Sequence, residues 1–347
     1  MIPRGNATSR PTSTFAKNAL ILCVSIAFSL SIAEVALRAL GYRPWQPRPL
    51  DVSVQPGGKL FRVDPVLGYT NLPGQFTMTQ ATGFTWTATH GPDTLRITEP
   101  ATSDTRNDSR QEIWIFGCSY TYGWSLNDEE TYPWLLQEKL PERKIVNFGV
   151  GGYGTINSFL QFREALRKGK TPTLIIVTYG PFHDARNTML RKMGKANFSH
   201  SQTFGSRWRP YARLTGDSQL RIDFSELEYR QFPLMRHSAL IHLLENAYNH
   251  IEEDYFDSRD VSRRLLREFA TLAKRNNIRF IVAGIEEDSA GMLKGLAREG
   301  ITTVDISVNL SIKGNRNVPH DGHPSFKAHQ AYSRRLFEFL NETASGY

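Results

Sequence analysis

The longest uncharged apolar stretch lies near the start of the chain. Residues 19–33 read ALILCVSIAFSLSIA, and apolar character resumes past Glu34 through Val35, Ala36 and Leu37. About 20 residues at ~1.5 Å rise cross a hydrocarbon core of roughly 30 Å. A cleaved signal peptide has a shorter apolar region and an A-x-A site, and the following AEVALRALGY offers no clean one. A soluble core helix fits poorly beside a polar, Pro-containing terminus. The pattern predicts an N-terminal tail over 1–17 and an uncleaved single-span transmembrane anchor over 18–40. Residues 41–60 are rich in Pro and Gly and read as an extended spacer. Residues 61–98 interleave Thr, Phe and Trp with Gly, as in a small β-rich lead-in, and 100–110 have turn composition.

Beyond residue 110 the pattern changes. Short apolar runs occur at 113–116, 145–148, 173–178, 279–283 and 301–306. Helical patterns fall between them. Residues 129–140 place acids in the first turn and Lys139 near the last, matching the helix dipole. Residues 155–169 form a second candidate. Over 258–275, Val261, Leu265, Phe269 and Leu272 share one face; over 324–341, Ala328, Tyr332, Leu336, Phe339 and Leu340 make a stripe. Strand–helix alternation argues for a doubly wound, mainly parallel sheet. The domain is expected over 111–345. An insertion at about 185–236 interrupts it, with two short strands around the turn Thr215–Ser218.

Composition narrows the picture. With 347 residues, 40% hydrophobic and 22% charged, the chain is neither disordered nor a multi-span membrane protein, and two cysteines exclude a disulfide scaffold. The net charge of +8 invites a nucleic-acid reading, but it is local. Residues 1–50 carry +5 and residues 185–236 carry +6, which leaves −3 for the rest. No nucleic-acid motif accompanies it, so no nucleic-acid partner is expected. The basic insertion is suited instead to an anionic polymer. Three basic residues flank each side of the apolar span, so charge alone does not orient it.

Four polar clusters stand at strand ends or before helices, where such sheets bind ligands. In IWIFGCSYTYGWS, Ser119 follows a strand on a tight turn, either as a nucleophile or as a plain helix cap. In NFGVGGYGT, Gly149, Gly151, Gly152 and Gly154 let backbone amides approach a ligand, although a simple tight turn has the same composition. VTYGPFHDARN offers His183, Asp184 and Asn187. VPHDGHPS puts Asp321 and His323 two apart, on one side of an extended segment, where a carboxylate can orient an imidazole. A metal reading of His320, Asp321 and His323 lacks a further ligand pair of suitable spacing, so neither metal nor other cofactor is expected. Cys118 is a second candidate nucleophile, or a small buried hydrophobe.

Together these clusters resemble the SGNH (GDSL-type) hydrolases over about residues 111–341. Gly117-Cys118-Ser119 matches the G-D-S block, Gly152 after Asn147 the second, GPFHD loosely the third, and Asp321-Gly322-His323-Pro324 the last. The lead-in and AEVALRALGY look like membrane-anchored bacterial members. The resemblance implies a three-layer α/β/α sandwich around a five-stranded, SGNH/flavodoxin-like sheet. It implies ester hydrolysis or acyl transfer with Ser119 as nucleophile, His323 as general base and Asp321 as its orienter. The oxyanion donors would be the Ser119 and Gly152 amides with a third from His183 or Asn187. Such a protein would work on an acylated cell-envelope carbohydrate or similar ester, with its catalytic domain periplasmic. Two departures, Cys118 for Asp and His183 for Asn, leave a second expectation: an impaired SGNH-fold protein that binds carbohydrate or aids assembly.

Overall fold

A computed structural model of the chain describes residues 12–47, 52–100, 108–197 and 208–344. The tail to residue 11, part of the spacer, most of the loop at 100–110 and the middle of the basic insertion lie outside the described residues. The chain divides into two compact units, one of residues 1–47 with 230–251 and one of residues 48–229 with 252–347.

The first unit begins with helix α1 (Thr12–Ala39), whose segment Thr14–Ala39 is long and apolar enough to cross a membrane. Its side chains there are unburied by protein.

The second unit opens with five short strands: β1 (Val52–Gln55), β2 (Phe61–Asp64), β3 (Gly68–Asn71), β4 (Gly74–Gln80) and β5 (Thr85–His90). β1, β4 and β5 form one antiparallel sheet, and β2 and β3 a hairpin. Part of the expected spacer is therefore a strand: β1 pairs with β4, Val52 opposite Gln80. Then come β6 (Gln111–Phe116), α2 (Ser119–Tyr122), α3 (Tyr132–Lys139), β7 (Arg143–Asn147), α4 (Thr155–Arg167) and β8 (Leu174–Tyr179). Helices α5 (Phe182–Thr188) and α6 (Arg191–Asn197) precede the hairpin of β9 (Trp208–Leu214) and β10 (Leu220–Glu226). After α7 (Ala239–Tyr255) the alternation resumes with α8 (Ser258–Arg275), β11 (Arg279–Gly284), α9 (Ala290–Arg298), β12 (Thr302–Asp305) and α10 (Phe326–Ala344).

The five apolar runs are the five strands of one parallel sheet, ordered β12-β11-β8-β6-β7. Their side chains alternate between two cores, as the pleat requires. Trp114, Phe116, Ile175, Val177 and Val282 face α4 and α8, with Phe162 and Phe269 stacked between them. Ile113, Ile115, Leu174, Ile176, Ile281 and Ala283 face α3 and α10, meeting Leu136, Tyr132 and the stripe Ala328, Tyr332, Leu336 and Leu340. This is a three-layer α/β/α sandwich. The lead-in touches the edge strand β7 through the antiparallel bridge Arg96–Asn147, which covers part of an exposed sheet edge.

The basic insertion is less free than its charge suggests. Arg209 is buried with its guanidinium over the Tyr69 ring. Arg213 donates to the Thr188 carbonyl, Arg186 to the Tyr153 carbonyl, and Lys192 pairs with Glu253. Much of the charge is spent on packing within the protein.

Candidate active site

The carboxyl end of the parallel sheet gathers the polar clusters. Strand β6 runs into Gly117, where an added Cβ would fall 2.1 Å from the hydroxyls of Thr121 and Thr178, so the turn requires glycine. Cys118 is extended (φ −99°, ψ −154°) and precedes the one-turn helix that starts at Ser119. The two side chains therefore diverge. Cys118 is wholly buried, whereas Ser119 Oγ reaches His323.

After β7, the Asn147 carboxamide accepts from Gly149 N at 2.9 Å and donates to the Thr121 carbonyl at 3.1 Å. That ties the glycine turn to the serine helix. Gly152 takes φ +82°, a region that disfavours side chains. The Ser119 and Gly152 N–H groups have no backbone hydrogen-bond partner among the described residues.

The loop before α10 supplies the other two groups. His323 Nε2 lies 3.0 Å from Ser119 Oγ, and His323 Nδ1 lies 2.5 Å from Asp321 Oδ1. The same carboxylate oxygen accepts from the His323 amide at 2.5 Å, and Asp321 Oδ2 accepts from Gln80 Nε2 at 3.1 Å. Burial would push the Asp321 carboxyl up. The hydrogen bond and charge of His323 outweigh it and hold the carboxyl below its ordinary value. His320 turns elsewhere: it pairs with Thr82 Oγ1 and stacks on Phe84 at 4.7 Å.

Aromatic rings enclose the pair. Tyr120 lies 5.8 Å and Trp124 6.2 Å from the His323 ring, centroid to centroid, and Phe182 packs on Tyr120 at 5.3 Å. The Tyr120 hydroxyl donates to Glu286 Oε1 at 3.1 Å, on the loop after β11. Burial pushes the Glu286 carboxyl up, against the pull of Tyr120 and Arg316. A polar cleft of about 190 Å³ borders Glu286, lined also by Asp288, Leu310 and Arg316. Clefts of about 850 and 490 Å³ elsewhere are lined by none of these residues.

Of the two candidates for the third oxyanion donor, Asn187 is already engaged. Asn187 is buried, with its oxygen accepting from Ile156 N at 2.9 Å and its nitrogen donating to Ser262 Oγ at 2.8 Å. It serves the start of α4. His183 is wholly buried on α5, with Nδ1 3.3 Å from Thr155 Oγ1 and Nε2 without a partner among the described residues. Burial drives its pKa well below the ordinary value, so the ring is neutral. The structure thus brings Ser119, Asp321 and His323 into contact range and sets Asn187 to another task. Gln80 and Glu286 join the site unannounced by any local motif, and Tyr120 joins it from the serine motif itself.

No family model matches this chain, and no curated protein does. Among solved structures, a putative lipolytic protein of the G-D-S-L family from Desulfitobacterium hafniense is 12% identical. That match covers 66% of this chain and 99% of the other, with a TM-score of 0.37. A GDSL-like lipase from Bacteroides thetaiotaomicron is 13% identical, over 67% of this chain and 89% of the other, with a TM-score of 0.37. An acetylxylan esterase from Geobacillus stearothermophilus, in a catalytic mutant, is 12% identical, over 66% and 93%, at 0.37. At these values the case for chemistry rests on the residues of this chain.

Proposed function

We propose that this protein is a membrane-tethered serine esterase or O-acyl (acetyl) transferase, acting outside the cytoplasm on an acylated cell-envelope carbohydrate or similar ester. One observation carries the reading: His323 stands between Ser119 Oγ and Asp321 at 3.0 and 2.5 Å. The apolar helix α1 supports the tether, and a tethered esterase acting on envelope carbohydrate faces outward.

In this reading Ser119 Oγ attacks the acyl carbonyl while its proton passes to His323 Nε2. Asp321 holds the imidazole in the tautomer that accepts there and stabilises the imidazolium that forms. The Ser119 and Gly152 amides take the developing oxyanion, each contributing about 3 kcal/mol in the transition state. The leaving alcohol departs with the proton from His323. Water, or an acceptor hydroxyl, then gives its proton to His323 and attacks the acyl-serine, which regenerates Ser119. Hydrolysis and transfer differ only in that acceptor.

A second reading draws on the enclosed His183 and the occupied Asn187. With two oxyanion donors in place of three, the fold would bind carbohydrate without turning it over. Labelling of the full chain by a fluorophosphonate probe separates the two. Labelling that vanishes in Ser119→Ala supports the esterase; labelling that persists in Ser119→Ala counts against it. Full biological activity in a Ser119→Ala/His323→Ala double variant would establish the binding protein instead.

A further inference from the structure

Helix α7 is amphipathic in the inverted sense. Its polar residues Glu245 and Asn249 are buried, with Asn249 Nδ2 donating to Glu245 Oε1 at 3.1 Å. Its apolar residues Leu244, Tyr248 and Ile251 are 53%, 47% and 65% exposed. The spacing of four and three puts these three on one face, over about 10 Å of helix. Leu234, just before the helix, is exposed as well.

The start of this helix is fastened to the end of α1. Glu34, the only acid in residues 1–50, accepts from the amides of Ala239 and Leu240 at 2.9 and 3.0 Å, and from Ser238 Oγ at 2.8 Å. A carboxylate at a helix N-terminus is favourable, because it satisfies free amides and meets the positive end of the dipole. Arg38, one turn on, pairs with Glu34 at 2.6 Å and donates to the His237 carbonyl at 2.7 Å. The segment after α1 then runs along the same stretch: Trp45 N donates to the Met235 carbonyl, and the Arg43 carbonyl meets His242 Nδ1. Glu34 lies just past the uncharged run, so α7 begins beside the last turns of α1.

The chemistry around that point suits a lipid surface. Four arginines, Arg38, Arg43, Arg230 and Arg236, flank the start of α7, while Glu245, Glu252 and Glu253 of the helix are hydrogen-bonded or ion-paired within the protein. The Arg236 guanidinium sits over the Trp45 ring at 5.6 Å. Tryptophan and arginine are the residues that settle at headgroups, above an apolar face that enters the acyl region.

Taking the tether proposed above as given, we infer that α7 is an interfacial helix, lying in the headgroup layer with Leu244, Tyr248 and Ile251 turned into the lipid. Glu34 would then fix where the helix enters the surface, and the chain would hold the bilayer by a span and by a surface helix.

Site-directed spin labelling of the full chain tests this. One cysteine at a time replaces Phe28, Asp217, Leu244, Tyr248 or Ile251 in a Cys23→Ala background, where the remaining Cys118 is wholly buried, in vesicles of phosphatidylethanolamine with phosphatidylglycerol. The expected result at 244, 248 and 251 is collision with oxygen as at 28, and collision with a water-soluble nickel chelate several-fold below that at 217. Chelate access at 248 equal to that at 217, with 28 still lipid-exposed, overturns the surface helix and leaves the tether standing. Chelate access at 28 overturns the tether and this inference with it. Spin–spin broadening at 248 that disappears on dilution with unlabelled protein also overturns it, in favour of a second copy on that face.

Discussion

At the scale of single residues, the site depends on how firmly Asp321 is held. One of its oxygens serves His323 Nδ1 and the His323 amide, and the other takes Gln80 Nε2. Replacing Gln80 with Met keeps the bulk and removes the donor. The carboxylate then gains freedom, and misplacement on the order of 1 Å costs up to about 10²-fold in rate. Gln80→Met is expected to lower kcat on a chromogenic acetyl ester by about ten- to a hundredfold with KM unchanged. An unchanged kcat would remove Gln80 from the positioning of the site. Asp321→Asn should cost more, about 10⁴-fold, because it turns the imidazole to the wrong tautomer. These residues also show what is legible locally. Ser119, Asp321 and His323 stand in short motifs at strand and helix boundaries, so their types and spacing point to chemistry. Gln80 is 241 residues from its partner, in a strand whose neighbours GQFTMTQ look like any half-buried strand. Asn187 misleads for the complementary reason. An amide near a strand end resembles a donor to substrate, and only the tertiary structure shows Ile156 N and Ser262 occupying it.

At the scale of elements, the parallel strands were readable because burial on both faces leaves nearly continuous apolar runs. Helix α7 was not, because periodicity identifies a face without saying what covers it. The lead-in was visible as β-rich, but not its role as the support of the serine turn. That role falls to Arg96, which is wholly buried. Its guanidinium pairs with Asp128 at 2.8 Å and donates to the carbonyls of Tyr122, Gly123, Leu126 and Thr87. It thus clamps β5 to the loop that follows helix α2. Arg96→Met leaves Asp128 buried without its cation and four carbonyls short of a donor. Removing one partner of a buried pair costs about 3–5 kcal/mol. The expected outcome is a loss of that size in urea unfolding, with part of it recovered in Arg96→Met/Asp128→Asn, where no unpaired charge remains. Equal losses in the single and double variants would show that the carbonyl bonds, and not the charge, dominate.

At the scale of the whole molecule, the ionisable groups that burial perturbs set the response to acid. His90 is lowered by burial to about 4 and His329 by burial to about 3, and burial lowers His183 well below its ordinary value. His329 Nδ1 accepts from Tyr132 N at 3.0 Å, which requires that nitrogen to be unprotonated. An unfolded histidine binds its proton below about pH 6.5. Between that value and the folded values the unfolded chain binds more protons, so stability falls as pH falls. Two carboxyls act in the opposite direction. Burial raises Asp184 to about 6 and also raises Glu286, so the folded chain holds their protons more tightly in the same range. The histidines outnumber the raised carboxyls, so unfolding takes up protons on balance and stability falls as pH falls through this window. Asp321 adds nothing in this window. Its lowered carboxyl contributes stability that is present above about pH 4 and is lost only as pH falls through its folded value. The urea midpoint is therefore expected to drop as pH falls from 6.5 to about 5.5, before the ordinary carboxylates titrate. In His329→Asn an amide oxygen can replace Nδ1 as the acceptor for Tyr132 N, and no proton is taken up on unfolding. That variant should have a shallower slope while keeping the fold at pH 7. A slope unchanged in His329→Asn would mean that this histidine is accessible to protons in the native state, and that the acid response comes from elsewhere in the protein.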